Sequence, residues 1–363
     1  MRARLTLMLV IAAVIVAACG STDNAAPSSS TAPAPSTTAP AAQAVAYVYS
    51  YEPGDHHEYG FTLNQNLQMK VEAEVDDDVL GEEMPGDINV VTSIDGTVSY
   101  DITEGPEPGT RQISISGVFD KLDITGTVDG EPVEEGMVEE GTIPDLVEVP
   151  DLSIVIDEHG RLVSVDGEEI PDDLPFFGDP FSELGDFTSG GLNGHFGPAF
   201  PDEPLAVGDT WSFSQSEEIE GLDTAMSVET TYEVTGTETL NGHTVAVIEF
   251  TTETSEVVLD LGEMFQALFD AFGEMGAELG DETEDSTVDI PSITFLIKVA
   301  PSTAGGTVWF DQEAGIVLRS SQDTSTSISM VMDFSDTEEA VRTEVTMDLE
   351  MQLEAELLEG PSA

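Results

Sequence analysis

The sequence predicts a mainly β fold: a large, curved antiparallel sheet of half-barrel form with one or two helices packed on it. Three observations carry this. From Phe61 to Val75 seven of eight odd positions are apolar (Phe61, Leu63, Leu67, Met69, Val71, Ala73, Val75) and every even position is polar. From Val341 to Leu357 the same alternation holds at Val341, Val345, Met347, Leu349, Met351, Leu353, Ala355 and Leu357, with Thr343 alone out of step. A two-residue period puts each apolar set on one face, so both stretches read as strands with one wet side. Strands of about 15 residues exceed the usual 5–6 and imply strong twist and curvature. The third observation is a single clear helical period, over 260–279.

The chain opens with Arg2 and Arg4, an apolar run from Leu5 to Val16, and Ala17-Ala18-Cys19-Gly20. This is the layout of a secretory signal, and the run is shorter than the roughly 20 residues a membrane span requires. Its end resembles the lipobox of bacterial lipoproteins, which implies cleavage after residue 18, lipidation of Cys19 and anchoring on the extracytoplasmic face of the cell membrane. Cys19 is the sole cysteine, so no disulfide framework or cysteine-based metal site is available to the folded part. Of the 25 residues from Gly20 to Ala44, 21 are Ala, Pro, Ser or Thr. Residues 19–45 therefore read as an extended tether, reaching up to ~80 Å at about 3.1 Å per residue.

Residues 46–170 and 205–358 read as two β halves. Shorter strands are expected around Ile113/Ile115, Leu122/Ile124, Met226/Val228/Tyr232, Ala246/Ile248/Phe250 and Ile328/Met330/Met332/Phe334. The Glu- and Leu-rich end of the last strand is compatible with a helical finish. Two hairpins share a grammar: Ile154 to Val163 around Asp157 and Gly160, and Val308 to Val317 around Asp311 and Gly315. In each, Asp starts the turn by bonding nearby backbone and Gly supplies a positive φ. Internal duplication and ordinary hairpin chemistry account for this match equally well.

Between the halves, residues 171–204 are rich in Pro and Gly yet carry Phe176, Phe177, Phe181, Leu184, Phe187, Phe196 and Phe200. So many large apolar groups must pack on the sheet's concave face or on a ligand. In the second half, Leu261, Met264, Phe265, Leu268, Phe269, Phe272, Met275 and Leu279 form one face of the 260–279 helix, and Asp260 with Glu263 can cap its start. Three glycines (Gly262, Gly273, Gly276) weaken it, so it depends on docking. Phe265, Leu268, Phe269, Phe272 and Met275 are the candidate contacts to an apolar ligand, a Phe/Met surface suited to acyl chains. A helix that simply fills the core is the alternative.

Asp and Glu number 73 against nine Lys and Arg, and removal of the signal leaves seven cations and a net charge of −66. Nucleic acid is excluded as a partner because phosphates demand clustered cations. Contact with anionic headgroups is disfavoured likewise, and screening by salt should stabilise the chain. Acidic runs at 76–78 and 281–285 match no EF-hand loop and read as solvated turns. Asp55-His56-His57-Glu58 is the densest ligand-type cluster. Adjacent strand residues face opposite ways, which spoils joint metal ligation, and a solvated turn near the tether is the expectation there. His159, His195 and His243 read as surface residues in turns. No nucleophile elbow, zinc-protease helix or phosphate loop occurs, and no catalytic residue, metal site or cofactor is assigned.

The order of lipobox, Ser/Thr/Pro tether and β domain resembles uncharacterised lipoproteins of actinobacterial envelopes. Pro204-Leu205-Ala206-Val207-Gly208-Asp209-Thr210-Trp211 and Gly306-Thr307-Val308-Trp309-Phe310-Asp311 strengthen the resemblance. The architecture is also similar to LolA-like and LprG/LppX-like carriers, which implies lipid held between a curved sheet and helices. Two functions follow as expectations: binding of a hydrophobic envelope molecule, or a structural or protein-interaction role at the surface without a small ligand.

Overall fold

The computed structural model describes residues 44–74, 86–132, 149–165, 167–169, 197–218, 225–262, 294–334 and 341–359. Every regular element assigned among them is a strand. The first half supplies β1 (His56–Glu74), β2 (Asp87–Glu104), β3 (Arg111–Val128), β4 (Glu131–Pro132), β5 (Val149–Ile156), β6 (Leu162–Val165) and β7 (Glu168–Glu169). The second supplies β8 (Thr210–Glu218), β9 (Ala225–Leu240), β10 (His243–Thr254), β11 (Val257–Asp260), β12 (Thr294–Val299), β13 (Ser302–Asp311), β14 (Ile316–Phe334) and β15 (Val341–Glu359). They form one antiparallel sheet in the order β7-β6-β5-β3-β2-β1-β15-β14-β13-β10-β9-β8. The sheet is open, with β7 and β8 at its two edges.

Each half is a meander, and the halves join where β1 pairs with β15 from Glu58↔Glu359 to Glu74↔Arg342. The alternation explains the register: Leu67 faces Leu349, Met69 faces Met347 and Val71 faces Val345, so the apolar positions of both strands share the inner side. Register shifts in β1, β2, β3, β5, β10 and β13 interrupt the ladders. Such bulges add local twist and bend a long sheet. Two inward glycines answer close approaches: a Cβ on Gly96 would stand 2.7 Å from the Phe61 ring, and one on Gly306 would stand 2.6 Å from the Phe250 ring.

The β ends of the sequence reading are adjusted. β1 starts at His56, so all of the Asp55–Glu58 cluster but Asp55 is strand, and His57 is fully buried where a solvated turn was expected. It is in phase with Tyr59 and Phe61, and the two-residue period carries it inward. β15 stays a strand through Glu359, because its Glu- and Leu-rich end pairs with β1 and tertiary contact overrides helix propensity. The 260–279 helix lies, beyond Gly262, outside the described residues. At its predicted start the Gly262 N–H donates to Asp260 Oδ1 at 3.0 Å, as a capping side chain would receive it.

The same backbone pattern occurs ahead of β1 and ahead of β8. Asp55 Oδ2 accepts from the Glu52 N–H, and Asp209 Oδ2 accepts from the Ala206 N–H. The Gly54 N–H reaches Ile102 O and the Ile102 N–H reaches Asp55 O; the Gly208 N–H reaches Val234 O and the Val234 N–H reaches Asp209 O. Gly54 and Gly208 have φ of 101° and 93°. The two hairpin turns repeat too, with Asp157 Oδ1 accepting from the His159 N–H and Asp311 Oδ1 from the Glu313 N–H. The aspartates, the two glycines and the turn N–H donors stand at one constant offset in the sequence, whereas Ile102 and Val234 do not.

Candidate binding face

One end of the inner face is closed by an aromatic plug. The segment from residue 44 to Tyr51 runs between the two Asp turns: the Tyr49 N–H donates to Glu158 O at 2.8 Å and the Ser50 N–H to Gly315 O at 3.0 Å. Val45 pairs with Leu205 in an isolated antiparallel bridge, so the leaders of the two halves meet. Phe200, fully buried, sits among Tyr47, Tyr49, Trp211 and Phe310 with ring centroids 4.9–6.0 Å apart. It is the one described member of the seven apolar residues of the 171–204 connection, and it packs on the sheet.

The plug's polar tips are satisfied. Tyr49 Oη donates to Pro198 O, Tyr59 Oη to Val317 O and Trp211 Nε1 to Ala199 O, at 2.8–3.0 Å. Burial raises the phenol pKa of Tyr49, Tyr51, Tyr59 and Tyr100, and pushes Tyr232 up to about 12. His57 differs: it lies edge-on to Tyr51 with ring centroids 5.3 Å apart, and neither ring nitrogen has a protein partner. Burial holds its pKa below the ordinary value, with Asp55 pulling the other way.

At the other end of the same face Leu67, Met69, Ile88, Ile328, Met347 and Leu349 form a second buried cluster. Rows of directly paired residues lie between. One row runs Ile94, Leu63, Leu353, Gln322, Gly306, Phe250, Tyr232, Trp211. The next runs Thr92, Gln65, Met351, Thr324, Ala304, Thr252, Thr230. Direct pairs share a face, so the first row is chiefly apolar and aromatic and the second chiefly polar. Phe61, Leu63, Ile94, Phe119 and Leu122 are half-buried.

Two shallow depressions of about 370 and 360 Å³ are found, one at Asp101, Ser114, Ser116 and Ser153, the other at Gly60, Asp95, Asp120, Arg319 and Glu354. The first is mainly polar and the second mixed, with Phe61, Ala355 and Leu358 in its lining; neither is the enclosed apolar pocket typical of a lipid carrier. Among the described residues no group of three or more His, Cys, Asp or Glu converges as a metal site would require.

Cys19, Phe265, Leu268, Phe269, Phe272 and Met275 lie outside the described residues, as do His195 and the acidic runs at 76–78 and 281–285. His159 is largely buried, its side chain 14% exposed, because the 197–202 segment packs over it; Phe200 N–H donates to its carbonyl. His243 is exposed in the β9–β10 turn, yet its Nδ1 comes 2.7 Å from Asp311 Oδ2. The sequence reading missed the polar row. Its signal was Gln65, the one odd position from Phe61 to Val75 that is not apolar.

No family model matches the chain, and no curated protein matches it. Among solved structures, a crystal structure of Pseudomonas aeruginosa OccK9 (OpdG) aligns over 84% of this chain and 98% of that one, at 8% identity and a TM-score of 0.16. Similarity that low carries no argument about fold or function.

Proposed function

We propose that the protein is a lipoprotein anchored through Cys19 to the extracytoplasmic face of the cell membrane, whose β domain binds a hydrophobic envelope molecule against its inner face. The observation that carries this reading is the half-buried apolar tract of Phe61, Leu63, Ile94, Phe119 and Leu122, which lies between a closed plug and a separate buried cluster. A domain built only for solidity has one contiguous core, as a rule, not two with a partly wet stretch between. The Phe/Met face of the 260–279 helix, carrying Phe265, Leu268, Phe269, Phe272 and Met275, is the segment assigned to the far side of the ligand. The halves 46–170 and 205–358 are taken as copies of one duplicated unit, which accounts for the matched turns at constant offset. No catalytic role is assigned.

The aromatic plug favours a second reading. It is densely packed and hydrogen-bonded, as a solid surface or interaction module would be, and the described depressions are shallow and open. Native mass spectrometry of the mature chain, purified in high salt from an actinobacterial host and then extracted with organic solvent, separates the two. A non-covalent lipid released on unfolding, and reduced by Phe265→Ala with Phe269→Ala, is the expected result. A chain carrying only its covalent anchor mass would leave the solid module standing. Cys19→Ala should move the protein from the membrane fraction to the soluble fraction.

A further inference from the structure

We propose that the inner face also holds a polar subsite, centred on Gln322, Thr324 and Thr326 of β14, that binds an uncharged polyhydroxylated group at one end of the ligand. This rests on the reading of the inner face as a ligand face. The inward positions of β14 change character along the strand: Ser320, Gln322, Thr324 and Thr326 are polar, and Ile328 and Met330 are apolar. Across the ladders these polar residues stand level with Leu353, Met351 and Leu349 of β15, where Val or Leu would complete a core.

Thr324 and Thr326 are buried, 6% and 3% exposed, and so are Gln65 and Thr92, the paired residues of the same belt on β1 and β2. Burying hydroxyls and carboxamides is costly unless each is hydrogen-bonded. Gln322 Nε2 donates to Thr324 Oγ1 at 3.1 Å, which satisfies part of the set. Gln322 Oε1 and Thr326 Oγ1 remain buried with no protein partner. The first can only accept, and the second can both donate and accept. A hydroxyl of a ligand answers either.

The belt is also neutral. Although 73 carboxylates are spread along the chain, none occupies the two rows that contain Gln322 and Thr324. A charged head would find no counter-ion there, whereas a sugar or polyol needs none. Leu67 and Leu349 share the row of Thr326, and Leu63 and Phe250 share the row of Gln322, so an alkyl chain joined to the head has apolar surface within reach. The ligand class is a neutral amphiphile with a hydroxylated head.

Calorimetric titration of the mature chain with dodecyl maltoside and with dodecanoate, both below micelle formation, tests this. The maltoside should bind about tenfold tighter, the equivalent of one good hydrogen bond or more. Gln322→Leu and Thr326→Val should each lose about tenfold on the maltoside and nothing on dodecanoate, while unfolding at the same temperature or higher. Thr326→Ser, which keeps the hydroxyl, should retain maltoside binding even if the apolar replacements prevent folding. Equal binding of the two amphiphiles, or variants that bind the maltoside as well as the parent does, would overturn the subsite and leave the apolar reading intact. Binding of neither would sink both, and the unpartnered atoms would then be served by buried water alone.

Discussion

Asp157 and Asp311 open matching turns in the two halves, yet they live in different surroundings. Asp157 is partly exposed, its side chain 22% accessible, and is answered within its own turn by Arg161, whose Nε donates to Oδ2 at 2.6 Å. Asp311 is buried, its side chain 2% accessible, and its Oδ2 is met at 2.7 Å by His243 from another hairpin, without the alignment of a hydrogen bond. The backbone role is common to both: Oδ1 of each accepts from two turn N–H groups. Turn chemistry is local and repeats; the partner of the second oxygen, local at Asp157 and tertiary at Asp311, does not.

The largest effect should appear where burial leaves no substitute. Asp311→Ala strips two N–H groups of a buried acceptor, a loss of about 3 kcal/mol, because both bonds go where water does not replace them. Asp157→Ala should cost about 1 kcal/mol, since water can reach the freed groups. Denaturant unfolding of both variants checks this, and equal losses would erase the distinction between the turns. The glycines divide the same way. Gly160→Ala and Gly315→Ala combine a positive φ with a Cβ 2.3 Å from the Tyr49 ring and 2.5 Å from the Ser50 nitrogen, and each should cost about 2–3 kcal/mol. Gly54→Ala and Gly208→Ala meet nothing within 4 Å and should cost only about 1 kcal/mol of backbone strain. Similar losses at all four would mean that the Asp turns do not clamp the leader.

These contrasts mark what the sequence could and could not convey. Turns were legible because Asp and Gly act within four or five residues, and β1 and β15 were legible because a long two-residue period survives noise. The bridge between Val45 and Leu205 had no local signal; it exists because the two leaders are brought together by everything between them. The belt around Thr324 and Thr326 was missed for a related reason. A polar residue in an apolar register looks like an exception in one strand, and becomes a row only when neighbouring strands are placed beside it.

His57 and Trp211 extend the comparison, since they occupy matching places in β1 and β8. Trp211 has its hydrogen bond to Ala199 O, and Trp211→Phe should cost about 1 kcal/mol at any pH. His57 is buried neutral, with its pKa lowered by burial, so the unfolded chain binds its proton first as pH falls. Stability from this residue is fully present above the unfolded pKa, about 6.5, and declines below it toward the folded value. Thermal melts of the parent should therefore fall between about pH 7 and 5, and His57→Phe should flatten that slope. An unchanged slope would assign the acid sensitivity to the carboxylates instead.

The smallest effect separates the two Asp partners by salt. The Asp157–Arg161 pair is a surface interaction, worth about 0.2–1 kcal/mol in a double-mutant cycle, and at about 1 M NaCl the Debye length of ~3 Å should remove most of it. The His243–Asp311 contact involves a buried carboxylate that counterions do not reach, so its coupling should persist at the same salt. The whole chain should meanwhile melt higher in about 1 M salt, because its net charge of −64 repels itself at low ionic strength. Measured together, the rise in melting temperature and the selective loss of the Asp157 coupling distinguish general screening from a local change in either turn. If both couplings vanish together, Asp311 is more accessible than its 2% side-chain exposure implies, and the contrast between the turns is one of sequence alone.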